Sequence, residues 1–376
     1  MKHNDINVDE ISNTTKLLLY KQSPNITSQL NFENSDTFLE PLLFAFFNSP
    51  TYSENGEALL KELMQGYFAN PTSLQLQYLY NNSNIAYIPN KGYYNRHKKL
   101  IEAPYYLDQN KTIELIKTYT PLLSPIFRDK NEQPLDPKLV EMDKALFLKN
   151  KADLKNAVQC IEKTSPSHFK LIQKCCSKLC VFKADPKHTN SFASNNVLGM
   201  AFLNAYQDDY GEAFFVDDIA HQSGHAIMFM FWFNKQEHFI LDPNAPLAPI
   251  LENPKEYRSF YVLFHALYTY YTSTLCLDNC ITANVFNDKE KQEALARIGF
   301  YLNKYKYDLV CFEKFCAHYK GVVQVIKEPS IQLYATIKEQ YIKMIREYGD
   351  IVKDYTYTNQ PYNFTFSNFI EVNLKN

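Results

Sequence analysis

The chain has 376 residues, 45% of them hydrophobic, which is enough apolar material to bury a sizeable core over one large domain or two. Its 39 Lys and Arg against 41 Asp and Glu leave a formal charge of −2 and a pI near 6.5, with no electrostatic footprint for nucleic acid. The polar start, Met1 to Glu10, is unlike a secretory signal, and Asp217, Asp218, His221 and His225 break the most apolar window, so no membrane span and a cytoplasmic location are expected.

In chain order, residues 1–35 are polar and read as frayed or only locally ordered. From Thr37 the pattern turns helical, with Phe38, Leu42, Leu43 and Phe46 at helical spacing and a second helix around Ala58 to Phe68. Residues 70–110 are rich in Asn and Tyr and read as loop with short helices. Pro121, Pro125, Pro134 and Pro137 break the chain into connectors before helices around Lys138–Lys149 and Lys151–Glu162. The character changes near residue 166. A helix over His168 to Leu179 leads to Val181-Phe182-Lys183, and the apolar run Val197 to Leu203 is short enough for a buried strand. The helix bearing His221 and His225 follows. Phe239-Ile240-Leu241 reads as another strand, Pro254 to Tyr271 as a helix, and the part after Lys289 as amphipathic helices. The fold class expected is α+β, mainly helical, with a small sheet packed beside the metal-binding helix. Two regions are expected: 1–160, helical and suited to binding a peptide or partner, and 161–376, metal-binding and catalytic.

Eight cysteines in a long chain without a signal are expected to be buried, reduced thiols. Cys175, Cys176 and Cys180 fall on an expected helix, and neither Cys276 with Cys280 nor Cys311 with Cys316 has a usual zinc or iron–sulfur spacing. Nine glycines, with no Gly-rich phosphate loop, argue against a nucleotide-binding fold.

The run His221-Gln222-Ser223-Gly224-His225 carries the chemistry. Imidazoles at i and i+4 project from one helix face and can share one metal ion. Phe214, Phe215, Ile219, Ile227, Met228 and Phe229 make the helix apolar nearly all round, where two unpartnered imidazoles are costly. The alternative is a pair of core histidines hydrogen-bonded to backbone or carboxylate. For a third ligand His265, on an aromatic helix, is preferred. His238 is the rival and Asp242 the carboxylate alternative, unless Asp242 simply opens the turn before Pro243. Arg258 lies seven residues before His265, two helical turns away on the same face, and can grip a carboxylate there or sit as a surface arginine. Zinc proteases place a Glu base where this chain has Gln222, which cannot take a proton from metal-bound water. Asp217 and Asp218 are close enough to orient an imidazole but do not replace that base. Three protein ligands with open positions also suit Fe(II) that binds a 2-oxo acid and O2.

The segments Ser191–Leu203, Ile219–Ala226, Asp242-Pro243 and Arg258 through His265-Ala266 together resemble the HExxH-motif peptide-modification proteins. These are 2-oxoglutarate-dependent β-hydroxylases of ribosomally made precursor peptides. About a quarter of the chain carries the resemblance. It implies Fe(II) on His221, His225 and His265, 2-oxoglutarate as cofactor with Arg258 toward it, a precursor peptide as substrate, and other peptide-maturation enzymes as partners. Gln222, in place of the family's Glu, is the catalytic position in question. Two other readings stay open: a catalytically silent peptide-binding maturation partner, and a zincin-like zinc hydrolase. Iron with 2-oxoglutarate turnover separates the first reading from both.

Overall fold

The computed structural model describes residues 6–49, 56–70, 72–129, 131–361 and 363–374. The first five residues of the polar N-terminal stretch lie outside them. The chain divides into two compact units, and the cut is not a single one near residue 160. One unit gathers Ile6–Lys155 with Ile172–Asp208; the other gathers Asn156–Leu171 with Asp209–Asn376.

The first unit begins with five helices: α1 (Val8–Gln22), α2 (Pro24–Thr27), α3 (Ser35–Phe38), α4 (Pro41–Phe47) and α5 (Gly56–Met64). Thus much of the stretch expected to be frayed is helical. Asn7 caps α1 and Ser23 caps α2, and Ile11 and Leu19 are buried, so two side-chain caps and a few apolar contacts order a polar segment. Strands β1 (Ala86–Ile88), β2 (Gly92–Tyr94) and β3 (Leu100–Glu102) form an antiparallel sheet. Strands β4 (Glu114–Ile116), β5 (Lys178–Phe182), β6 (Phe192–Ala193) and β7 (Met200–Asn204) form a second sheet in the order β4-β5-β7-β6. There β4, β5 and β7 run parallel and β6 antiparallel. Leu42, Phe46, Leu60, Phe127, Phe182 and Phe202 belong to the common core of this unit. Within it Lys178 is buried between Glu114 at 3.0 Å and Glu40 at 3.2 Å. The Tyr87 hydroxyl donates to Glu114 at 2.6 Å.

Helices α6 (Lys144–Thr164) and α7 (Pro166–Cys175) carry the chain from the first unit into the second and back. The second unit is otherwise built from α8 (Glu212–Phe231), α9 (Ala248–Leu251), α10 (Phe260–Thr282), α11 (Asp288–His318), α12 (Glu328–Val352) and α13 (Phe366–Asn373). Apolar residues around the whole circumference of α8 and α10 suit burial rather than a solvated face. No helix among the described residues is long and apolar enough to cross a membrane.

The protein is therefore α+β, mainly helical with small sheets. The strands expected near 181–183 and 197–203 form as β5 and β7, but both lie in the first unit, whereas α8 belongs to the second. Cys180 sits on β5 rather than on a helix. Phe239 makes only an isolated bridge to Ile326, because the segment turns at a short 3-10 helix, Lys235–Glu237, instead of extending.

Candidate metal centre

Helix α8 places His221 and His225 one turn apart, and α10 brings His265 against them. The His221 and His225 ring centroids are 5.1 Å apart, and those of His225 and His265 4.6 Å. Gly224 lets α8 and α10 approach this closely. A Cβ there would meet Thr272 Oγ1 at 2.8 Å, inside van der Waals contact. Thr272 in turn donates to the backbone carbonyl of Ala220 at 2.9 Å, tying the helices together one turn before the second histidine.

Burial pulls all three imidazoles down from their ordinary value. His221 falls to about 3, helped by the positive charge of Lys304 and by His265. His225 and His265 are held well below 6.5 by burial and by neighbouring imidazoles. All three are neutral at pH 7, the form that ligates metals. A ring N–H of His265 is hydrogen-bonded to the backbone of His225, while Nε2 is buried without a partner among the described residues. His221 Nδ1 faces Ser273 Oγ at 3.4 Å and the Tyr301 hydroxyl at 3.5 Å. Burial, then the charge of Asp217, raises Tyr301 well above 10, so its phenol stays protonated.

Two imidazoles sharing one ion at metal–nitrogen distances of about 2.0–2.1 Å have ring centroids roughly 4.5–5.2 Å apart. Both measured separations fall in that range. Even so, no group of three or more His, Cys, Asp or Glu side chains among the described residues is arranged to hold a metal ion as it stands. The three rings share a location, and their nitrogens do not meet at one point.

The other sequence candidates lie elsewhere. His238 packs on Phe231, ring centroids 4.3 Å apart, with Nδ1 3.4 Å from Ser330 Oγ. Asp242 accepts from the backbone of Asn244 at 2.9 Å, a turn contact before Pro243. Gln222 is buried on α8, and its amide donates back to Asp218 at 3.2 Å. Among the described residues its Oε1 has no partner and Gln222 makes no hydrogen bond to the three imidazoles.

Arg258 is not on the His265 helix at all. Ser259 caps α10 by accepting from Val262, so the helix starts two residues after Arg258. Its guanidinium is divided between Glu256, at 2.7 and 2.8 Å, and Asp308, at 2.8 and 2.9 Å. Two bidentate carboxylates leave it little to offer an incoming anion. Arg297 is similarly committed, to Asp217 at 2.9 Å and Glu293 at 2.6 Å.

Helix α11 contributes Tyr301, Lys304 and Asp308, which sequence reading passed over. Together with Arg297 they follow one another at helical spacing along a single stripe. Burial lowers Lys304 to about 8 despite the opposing charges of Asp308 and Asp217. Their spacing by four, three and four along one stripe was the available signal.

No protein-family model matches this chain, and no curated protein sequence does.

Proposed function

We propose that the second unit holds a divalent metal on His221, His225 and His265, and that the protein is an Fe(II)- and 2-oxoglutarate-dependent hydroxylase of a precursor peptide. The observation that carries the metal reading is a run of three neutral imidazoles in which His225 lies at ion-sharing separation from both His221 and His265, the last with an orphaned, buried Nε2. Rotation of the rings is needed to bring the nitrogens to a common point. The iron, the 2-oxo acid and the peptide rest on the sequence resemblance. Bound iron would supply O2 activation, and the chain's own residues do the rest. Ser273 and Tyr301 orient His221, the α8–α10 contact positions His225 and His265, and the aromatic wall of Phe229, Trp232 and Tyr270 excludes water. Lys304, one turn beyond Tyr301 and close enough for its charge to act on His221, is the cation we propose for a cosubstrate carboxylate. Gln222 acts on Asp218 and has no direct part in proton transfer. A cytoplasmic location and co-operation with other peptide-maturation enzymes belong to the same reading.

The test is anaerobic titration with Fe(II), or with Co(II) as an optical stand-in, of the wild type and of single His→Ala variants. Stoichiometric binding lost on changing His221, His225 or His265, and kept in His238→Ala, supports the site. Full occupancy in all four variants defeats it. Succinate formed together with a +16 Da peptide supports hydroxylation, whereas peptide cleavage with zinc would favour the hydrolase.

A further inference from the structure

The second unit contains a cavity of about 270 Å³ between the α6–α7 junction and α10. On α10 it is lined by Tyr268, Tyr271, Leu275 and Asn279, residues spaced by three and four and therefore forming one stripe. His265, Thr269 and Ser273 form another stripe, roughly a third of a turn round the same helix at 3.6 residues per turn. The cavity is thus separate from the three-histidine group.

Two features identify what fits. First, no Asp, Glu, Lys or Arg is among its described lining residues, so the described lining offers an entering ion no counter-charge for its lost hydration. Second, His168 lines the cavity with its ring 4% exposed and its Nε2 buried without a partner among the described residues. Buried polar atoms in native proteins are nearly always satisfied, and an orphan at a cavity wall marks a place for a ligand atom. Burial also pulls His168 down to about 4, so the ring is neutral at pH 7. Ser167 and His168 lie in the first turn of α7, a ten-residue helix opened by Pro166, and their two amide N–H groups have no partner within the helix. Such donors favour a carbonyl oxygen. Tyr268, Tyr271 and Leu275 supply apolar surface beside them.

We infer that this cavity is a second binding site, for an uncharged, amide-bearing small molecule or peptide end-group, held by His168 and the first turn of α7. An amide supplies both an acceptor for the helix donors and an N–H for the imidazole, with no net charge. The inference does not depend on the metal reading, and His221→Ala is expected to leave amide binding unchanged.

The experiment is an NMR titration of protein carrying 15N-labelled histidine with N-acetylleucinamide, using leucine and acetate as charged comparators. The His168 ring signal, assigned by its loss in His168→Phe, is expected to shift with N-acetylleucinamide at a Kd of about 1–10 mM, typical of a very small ligand. Leucine and acetate should bind at least about tenfold more weakly, and Leu275→Trp, which fills the cavity, should abolish the shift. No shift of His168 in the wild type, or equal affinity for leucine or acetate, overturns the proposal without reference to any variant. A shift that survives in a folded Leu275→Trp protein overturns it too.

Discussion

His221 lies with its imidazole stacked on the ring of Tyr301, centroids 5.9 Å apart and planes 24° off parallel, and its Nδ1 3.5 Å from the phenol oxygen. On the proposed metal reading, the phenol engages Nδ1 of His221 and leaves Nε2 for the ion. Loss of an outer partner of a metal-bound histidine typically costs about 10–100-fold in affinity. Ser273 shares the same nitrogen, so Tyr301→Phe is expected near the lower end, about tenfold, and Tyr301→Phe with Ser273→Ala near the upper. Co(II) titration followed by absorbance measures both. Unchanged affinity in the double variant would remove Tyr301 and Ser273 from the site.

Four imidazoles whose pKa is lowered in the fold set a pH dependence of stability. His221 is lowered to about 3 and His168 to about 4, and His225 and His265 lie well below 6.5, whereas unfolded imidazoles titrate near 6.5. Between those values the unfolded chain binds more protons than the folded one. Stability is therefore full above about 6.5 and declines as the pH falls toward the folded values, by at most about 1.4 kcal/mol per imidazole per pH unit. Thermal melts in chelator should show Tm falling from pH 7 to pH 5, with a shallower slope in His168→Phe. A flat profile would mean these rings are solvated.

Gly224 and Thr272 predict a change of sign. Gly224→Ala gains about 1 kcal/mol of helix propensity, but its new Cβ meets Thr272 Oγ1, and such overpacking costs about 1–3 kcal/mol. The single variant should lose stability or at best break even, and it should weaken metal binding by pushing α8 from α10. In a Thr272→Ala background, where that oxygen is gone, Gly224→Ala should stabilise. Urea denaturation of the four proteins of this cycle decides it, and additive effects would show that the helices are not in tight contact there.

Lys178 lies between two buried carboxylates. Lys178→Met leaves Glu40 and Glu114 facing each other without it and should cost about 3–5 kcal/mol. Adding Glu114→Gln should recover a substantial part. If Lys178→Met unfolds at the same denaturant concentration as the wild type, the three groups are not energetically coupled.

The helical character of the chain and the two central strands were legible because apolar spacing and short β-rich runs are local signals. The convergence of His265 on His221 and His225 also followed from chemistry readable in sequence, since an imidazole on an aromatic helix needs a partner. Arg258 illustrates the limit. Seven residues of separation implied a shared helix face, yet the Ser259 cap ended the helix between them, and Glu256 and Asp308 claimed the guanidinium. Asp308 lies 50 positions away, and no spacing rule reaches that far. Tyr301 and Lys304 were missed for the same reason, as α11 meets the histidines only through tertiary packing. The two compact units do not part at residue 160, since β5 and β7 return to the first unit after a helical excursion.

That excursion bears on how the chain comes to be folded at all. Strand β4 ends at Ile116, and its parallel neighbour β5 begins only at Lys178, after α6 and α7 have been laid down. Long-range parallel pairing of this kind is intrinsically slow, and an unpaired strand edge meanwhile is exposed to aggregation. On the ribosome the first unit must wait, its second sheet unfinished, until Asn204 has emerged. A chain stopped at Lys155 would hold β4 with neither β5 nor β7 to receive it, so the amino-terminal half cannot mature ahead of the segment that follows it.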